Sequence, residues 1–340
     1  MWAGAVRRGT VRAVGEGGVR AGMERRGVKP GYVVEDLMGR GLRAGTGHIT
    51  AHRAAVFGGI PIDVPAMTIN KVCLSGLNAI AMADQLIRAG EIEVAVAGGM
   101  ESMSLAPYIV PKARFGARMG NTEMSDSMVH DGLWSTFLEA HMGESSDEIN
   151  RELEIGREEQ DTWASRSHAR AAAAWSNGRL AEETVTVEVA GGKGGPSFVS
   201  QDQGFRADTT VEALASLRPA FRKDGTITAG NASQISDGAA AVIVMSGERA
   251  EREGLQPLAE IVSHGMAAER FGWLHTVPAL AMARALEKAQ LTPADLDLVE
   301  INEAFAAVAL NVTRMLGLDE ERVNVNGGAV ALGHPLGASG

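Results

Sequence analysis

Apolar positions along the chain switch between a period of two and a period near 3.6, and the switches mark where strands hand over to helices. From Met67 to Val72 the pattern predicts a strand that leads into Cys73. Beyond it, Leu77, Ile80, Ala81, Ala83, Asp84 and Ile87 keep helical spacing, and Gly90 closes the helix. A second apolar strand, Val94–Ala97, ends in Gly98-Gly99-Met100-Glu101-Ser102. Strand, helix and strand in so short a stretch form a βαβ unit, which implies parallel pairing. Upstream, Val19, Met23 and Val28 are loosely periodic and predict a short helix over Gly15–Gly27.

Residues 105–225 break this rhythm. They are rich in Met, Arg, Gln and Asp, carry one long Ala-rich helix over Arg157–Asn177, and then a Gly/Lys turn at Gly191–Gly195. This stretch reads as an inserted loop or lid. The α/β pattern returns near Thr226, with strands at Ala240–Met245, Leu298–Ile301 and Val323–Asn326 and helices at Val277–Gln290 and Glu303–Leu316. Three regions follow: an α/β half over 1–104, the insert over 105–225, and a second α/β half over 226–340. The last residues, His334 to Gly340, read as a turn into a further helix.

Composition narrows the class. A chain of 340 residues with 45% hydrophobic and 22% charged residues is ordinary for a globular protein with more than one sub-domain. No apolar run approaches the roughly 18 residues of a membrane span, so no membrane partner is expected. The net charge of −10 argues against general nucleic-acid binding. That charge is uneven: residues 1–43 carry nine Lys/Arg against four Asp/Glu, or +5, leaving −15 for the rest. This basic stretch has no Ser and no clean amphipathic face, so a transit peptide is not expected. One cysteine excludes an internal disulfide and a cysteine-cluster metal site, and suits a reducing, cytoplasmic location.

Three constellations carry chemistry. Cys73 sits where a strand becomes a helix, where backbone N–H groups and the helix dipole favour the thiolate, and Ser75 and Gly76 are small enough to admit a substrate. Most lone cysteines are inert core residues, so position alone leaves both readings open. Asn302-Glu303-Ala304-Phe305-Ala306 follows a buried strand directly, at the strand end where α/β sheets bind ligands; Asn302 also suits a helix N-cap. Gly333-His334-Pro335-Leu336-Gly337-Ala338-Ser339-Gly340 places a histidine in a glycine-rich turn, where it can serve as base or donor to a thiol or carbonyl, or simply occupy a surface turn. His48 and His52 stand four apart, but with no carboxylate partner they read as a solvated helix face, and no metal is expected. Gly191-Gly-Lys-Gly-Gly-Pro-Ser lacks P-loop spacing, and no GxGxxG, GxSxG or HExxH occurs.

Taken together, Asn70-Lys71-Val72-Cys73-Leu74-Ser75-Gly76, Asn302 to Ala306 and Gly333 to Gly340 resemble the thiolase family in order and spacing. Thr228-Ala229-Gly230-Asn231-Ala232-Ser233 and Leu217-Arg218-Pro219-Ala220-Phe221 add two more segments, and the likeness runs from about Val28 to the last residue. The resemblance implies an α/β protein with a thiolase-like five-layer αβαβα fold and an inserted loop domain. It implies acyl transfer between coenzyme A thioesters in fatty-acid and lipid metabolism: condensation of two acetyl-CoA or thiolysis of 3-ketoacyl-CoA. No permanently bound cofactor is implied, and a homodimer or homotetramer is. By motif match Cys73 takes the acyl group, His334 activates the thiol and helps hold the thioester oxyanion, and Asn302 holds a water that completes the oxyanion site. Coenzyme contacts carry over to Leu133, His141, Met142, Arg206, Leu217, Ala220, Phe221, Ala229, Ala232, Ser233 and Phe305. Arg206 suits the charged nucleotide end and the apolar members suit the pantetheine channel. Ala213 stands where many relatives carry Ser.

Two departures bear on activity. The family's second cysteine, the acid/base in a glycine-rich Cys-x-Gly segment near the C-terminus, has no counterpart in this sequence, and the usual first strand is unrecognisable in residues 1–14. The chain therefore reads as truncated at both ends, with Cys73 acylation retained and carbon–carbon bond chemistry impaired. Two other classes remain open. A non-catalytic acyl-CoA-binding relative or inactive fragment would bind CoA without forming an acyl adduct. A ketoacyl synthase would prefer an acyl-carrier protein; the Asn-Glu-Ala-Phe-Ala segment and the His141-Met142 pair speak for thiolase.

Overall fold

Four strands build the sheet that carries the candidate site. Strands β1 (Glu35–Gly39), β2 (Ala66–Ile69) and β3 (Val94–Ser102) run parallel, and β4 (Asp237–Met245) joins antiparallel, in the order β4-β3-β1-β2. This computed structural model describes residues 11–189 and 197–339. The expected Gly191–Gly195 turn lies outside the described residues, as do residues 1–10 of the first-strand region and Gly340.

The βαβ unit has one strand more than the sequence pattern implies. β2 and β3 are parallel but not adjacent, because each pairs with β1, which lies between them. The crossover helix α3 (Ser75–Arg88) turns Ala79 and Ala83 onto the face made by Leu37, Ile69, Ala95 and Ala97. On the other face, α1 (Val11–Arg26) and α2 (Thr50–Gly58) cover Met38, Val94, Val96 and Met100. Neighbours along β1 and β3 thus point to opposite sides. With helices on both faces, β3 is buried at every position, which explains its unbroken apolar run. The strand also continues through Gly98–Ser102 instead of stopping at Ala97.

One expected placement changes. The strand near 240–245 exists, but it pairs with β3 from Asp237↔Ser102 to Met245↔Val94 and so belongs to the first sheet, not to the second half. The insert contributes α4 (Met142–Glu152), α5 (Arg157–Ser176), the short α6 (Val211–Ala215) and three small hairpins.

After α7 (Gly247–Glu253), the second half is built around α8 (Val277–Ala289) and α9 (Ala306–Leu316). The strands expected at Leu298–Ile301 and Val323–Asn326 meet only as a parallel bridge, Val299↔Val323. Asn324 explains why the ladder stops: its φ of 48° leaves the extended region. Its side-chain amide then takes over from backbone, accepting from Ile301 N at 2.7 Å and donating to Ile301 O at 2.9 Å. α9 is buried on nearly all sides against Trp163, Ile227, Val299 and Val330, forming the second core.

Candidate active site

Between the end of β2 at Ile69 and the start of α3 at Ser75, one tight turn over Val72–Leu74 presents Cys73 at the helix N-terminus. Cys73 is half-buried and packs with Leu133, Ile235 and Leu336 around a small cluster that includes Leu42, Met103 and Met128. The expected helix-dipole gain does not decide its acidity. Burial pushes the thiol up to about 11, its own backbone N–H offsets part of this, and the nearby Glu101 carboxylate adds to the rise. The resting group is therefore a thiol that needs a base. In a pH titration followed by thiolate absorbance, the difference between the protein and a Cys73→Ser variant should stay flat through neutrality and rise only near pH 11. A step below pH 8 would contradict this.

Three separated segments converge beside Cys73 because the sheet has a flat spot. Gly39 and Gly99 are paired across β1 and β3. A Cβ on either would overlap the carbonyl of Gly337, and one on Gly39 would also sit 2.6 Å from the Ser75 carbonyl carbon. A Cβ on Gly76 would come within 2.9 Å of the carbonyls of Ala338 and Ser339. The histidine turn therefore lies directly on the sheet and against the first turn of α3. Glu101, fully buried, fixes it there: Oε2 accepts from Gly41 N (2.8 Å), Leu42 N (3.1 Å) and Gly337 N (3.1 Å).

His334 is buried, not a surface-turn residue. Its hydrogen bonds define its tautomer. Asn302 Nδ2 lies 3.3 Å from Nε2, and since an amide N–H only donates, Nε2 accepts there. Nδ1 then carries the proton and donates to Ser339 Oγ at 2.6 Å, while the Ser339 hydroxyl donates to Pro335 O at 3.2 Å. Burial holds the imidazole down at about 4, so it is neutral at physiological pH and keeps a basic lone pair on Nε2.

Asn302 is not a helix N-cap. The N-cap position falls on Phe305, which is extended and bridges Ala232, and α9 starts at Ala306. The side chain is thereby left for His334. Its neighbour Glu303 is the stronger anchor and was not singled out by the sequence. Fully buried, it accepts from Trp163 Nε1, Ser167 Oγ and Asn324 Nδ2, each at 2.8 Å, and from Val330 N at 3.0 Å. A carboxylate directly before the apolar run Ala304–Ala307 is the available signal, because a buried group of this kind persists only where donors surround it.

The coenzyme candidates fall into groups. Leu133 shares the apolar cluster of Cys73. His141 stacks on Phe221 at 4.7 Å, and Phe221 meets Phe305 edge-on at 6.1 Å. Met142 and Ala232 pack on the same core as Phe305, and Ser233 N donates to Ala304 O at 3.0 Å. Leu217 lies beside Gly230, next to Ala229, and Ala220 N donates to Ile227 O at 2.8 Å. Arg206 is exposed, with its backbone N–H on His168 Nδ1 at 3.1 Å. His48 precedes α2 while His52 lies within it and bonds Ile62 O at 3.0 Å, so the pair does not share a helix face.

Family models match almost the whole chain: thiolase N-terminal domain over residues 2–248 and thiolase C-terminal domain over residues 255–340. The junction follows β4, where the first sheet ends. A probable acetyl-CoA acetyltransferase of Mycolicibacterium smegmatis is 52% identical over 322 residues, spanning 95% of this chain and 83% of that protein. An acetyl-CoA acetyltransferase of Pseudomonas aeruginosa is 50% identical, spanning 95% and 82% respectively. The crystal structure of the Bacillus anthracis acetyl-CoA acetyltransferase superposes with a TM-score of 0.96 at 40% identity, covering 99% of this chain and 85% of that one.

Proposed function

The chain belongs to the thiolase family, and on that footing we propose how its residues divide the work of acyl transfer. It is an acyltransferase that works on coenzyme A thioesters, by condensation of acetyl-CoA or thiolysis of 3-ketoacyl-CoA. The observation that carries the residue assignment is the contact of Asn302 with His334 on a turn that abuts the start of α3.

In this reading the Cys73 sulfur attacks the thioester carbonyl while its proton passes to His334 Nε2. Protonated Nε2 no longer accepts from Asn302, so both groups become donors at once. They face the oxyanion of the tetrahedral intermediate, Asn302 either directly or through a held water. Collapse expels the coenzyme A sulfur, which takes the proton from Nε2 and leaves acyl-Cys73. In condensation the acyl carbon then bonds to the α-carbon of a second acetyl-CoA and the Cys73 sulfur leaves. The α-proton needs a further base, the part that the second cysteine plays in the family and that has no counterpart among this sequence's cysteines. In the thiolytic direction Cys73 instead attacks the 3-keto carbonyl, and the carbon–carbon bond breaks to release acetyl-CoA. The acyl group then passes to the CoA sulfur, whose proton returns to Cys73. Leu133, His141, Met142, Leu217, Ala220, Phe221, Ala229, Ala232, Ser233 and Phe305 line the coenzyme channel, and Arg206 meets its charged end. We further propose a homo-oligomer, a dimer or tetramer, that needs no bound cofactor and works in the cytoplasm. Among the described residues no helix is long and apolar enough to cross a membrane.

Incubation with acetyl-CoA followed by intact-mass measurement tests the assignment. One acetyl adduct is expected, absent from Cys73→Ser, since the sequence holds a single cysteine. Tight CoA binding with no adduct would favour a non-catalytic relative instead.

A further inference from the structure

The residue before Cys73 has an unusual backbone. Val72 has φ of 49°, in the left-handed region where β-branched residues are rarest and glycine is the usual choice. Such a conformation persists only where its surroundings impose it. Here side chains hold the backbone polar groups around it. Val72 N donates to Asn70 Oδ1 at 3.0 Å, and Lys71 N donates to Ser75 Oγ at 2.9 Å. The Ser75 hydroxyl donates back to Val72 O at 2.7 Å. Asn70 is itself tied down, its Nδ2 donating to Gly41 O at 3.2 Å. Ser75 is fully buried, so its hydroxyl has no solvent to fall back on.

We propose that Asn70 and Ser75 are positioning residues for acyl transfer: together they clamp Val72 in its left-handed conformation and so fix the direction in which Cys73 leaves the turn. The inference rests on Cys73 being the acyl acceptor. Neither side chain touches the reacting atoms, and both act through the Val72 backbone. Helix α3 follows Cys73 at once, so the turn has no slack in which a relaxed Val72 could be absorbed without re-aiming the sulfur. The small size of Ser75 is thus not its only contribution, because the hydroxyl holds the turn from both sides.

The test is the rate of Cys73 acetylation by acetyl-CoA, followed by intact mass over a range of acetyl-CoA concentrations, alongside urea unfolding. Ser75→Ala should lower the limiting rate by about tenfold to a hundredfold, with the half-saturating concentration unchanged. Asn70→Ala should act in the same direction. Glycine adopts positive φ without a clamp, so adding Val72→Gly to Ser75→Ala should recover most of the lost rate. A purely structural serine would instead give losses in rate that track the urea midpoint and are not rescued by Val72→Gly. Asn70→Asp, which keeps the acceptor for Val72 N, serves if Ser75→Ala does not fold; it should retain more rate than Asn70→Ala. If the wild-type chain forms the adduct and the clamp variants match its rate, the clamp is wrong and the acyl-acceptor reading stands. If the wild type forms no adduct, that reading fails and the clamp falls with it.

Discussion

Replacing His334 with asparagine is expected to slow acetylation of Cys73 by about 10²–10⁴-fold at neutral pH, the usual worth of a positioned general base. The expectation follows from two opposed shifts. Burial holds the Cys73 thiol at about 11 and the imidazole at about 4, so the resting pair is neutral on both sides. Unaided, the thiol would be ionised in only about one molecule in 10⁴ at pH 7. A neutral imidazole with its lone pair on Nε2 removes that handicap by taking the proton as the carbon–sulfur bond forms. The two proteins should therefore differ in the shape of their pH profiles. Imidazole protonated below about 4 is spent as a base, so the wild-type rate should fall in acid and lie nearly flat from about pH 6 to pH 9. The asparagine variant depends on hydroxide to ionise Cys73, and its rate should climb about tenfold per pH unit over the same range. Single-turnover acetylation followed by mass measures both. A variant that keeps the wild-type rate, or a wild type whose rate climbs with pH, would move the base elsewhere.

Much of this arrangement was legible in the sequence because it is local. The period of Leu77, Ile80, Ala83 and Ile87 fixes α3, and the two strands around it follow from their apolar runs. The cysteine, asparagine and histidine segments were recognisable from their residue order alone. What stayed hidden depends on partners distant along the chain. Nothing within Ala240–Met245 says that it pairs with β3 and not with a segment of the second half, because a strand's partner is set by the packing of the whole domain. The Val323–Asn326 strand failed on a single residue, Asn324, whose side chain competes with the backbone for Ile301. The acidity of Cys73 departs from the helix-dipole expectation for a related reason. A helix N-terminus can be read from sequence, but the cluster of Leu42, Met103, Met128 and Leu336 against which Cys73 packs comes from other segments of the chain. Ser75 shows the same limit at the scale of one atom, since a small residue and a hydroxyl that grips a turn look alike until the turn is seen.

Replacing Asp36 with valine is expected to stabilise the fold by about 4 kcal/mol at pH 7, an effect seldom available from one substitution. Asp36 sits in β1 opposite Ala66 and Val96, on the side of the sheet where Met38 packs beneath α1 and α2. It is fully buried, and among the described residues neither carboxyl oxygen has a hydrogen-bond partner. Burial, helped by the neighbouring charge of Glu35, raises its pKa from 3.8 to about 8. The sign follows directly. Through most of that interval the folded protein holds a proton that the unfolded chain has released, so stability falls as pH rises from about 4 and the loss levels off above about 8. At about 1.4 kcal/mol per unit, most of the loss is present at pH 7. Valine has no charge to lose and suits an apolar strand face. Urea midpoints at pH 5 and pH 8 measure the effect: the advantage of Asp36→Val should be several-fold larger at pH 8, and should shrink at pH 5 toward the cost of burying an unpartnered neutral carboxyl. Asp36→Asn separates the two contributions, because it removes the pH dependence while leaving an unpartnered polar group in place. An advantage of equal size at both pH values would show that shape, not ionisation, governs this position. A loss of stability in the valine variant would mean that the carboxyl has a partner that holds the strand.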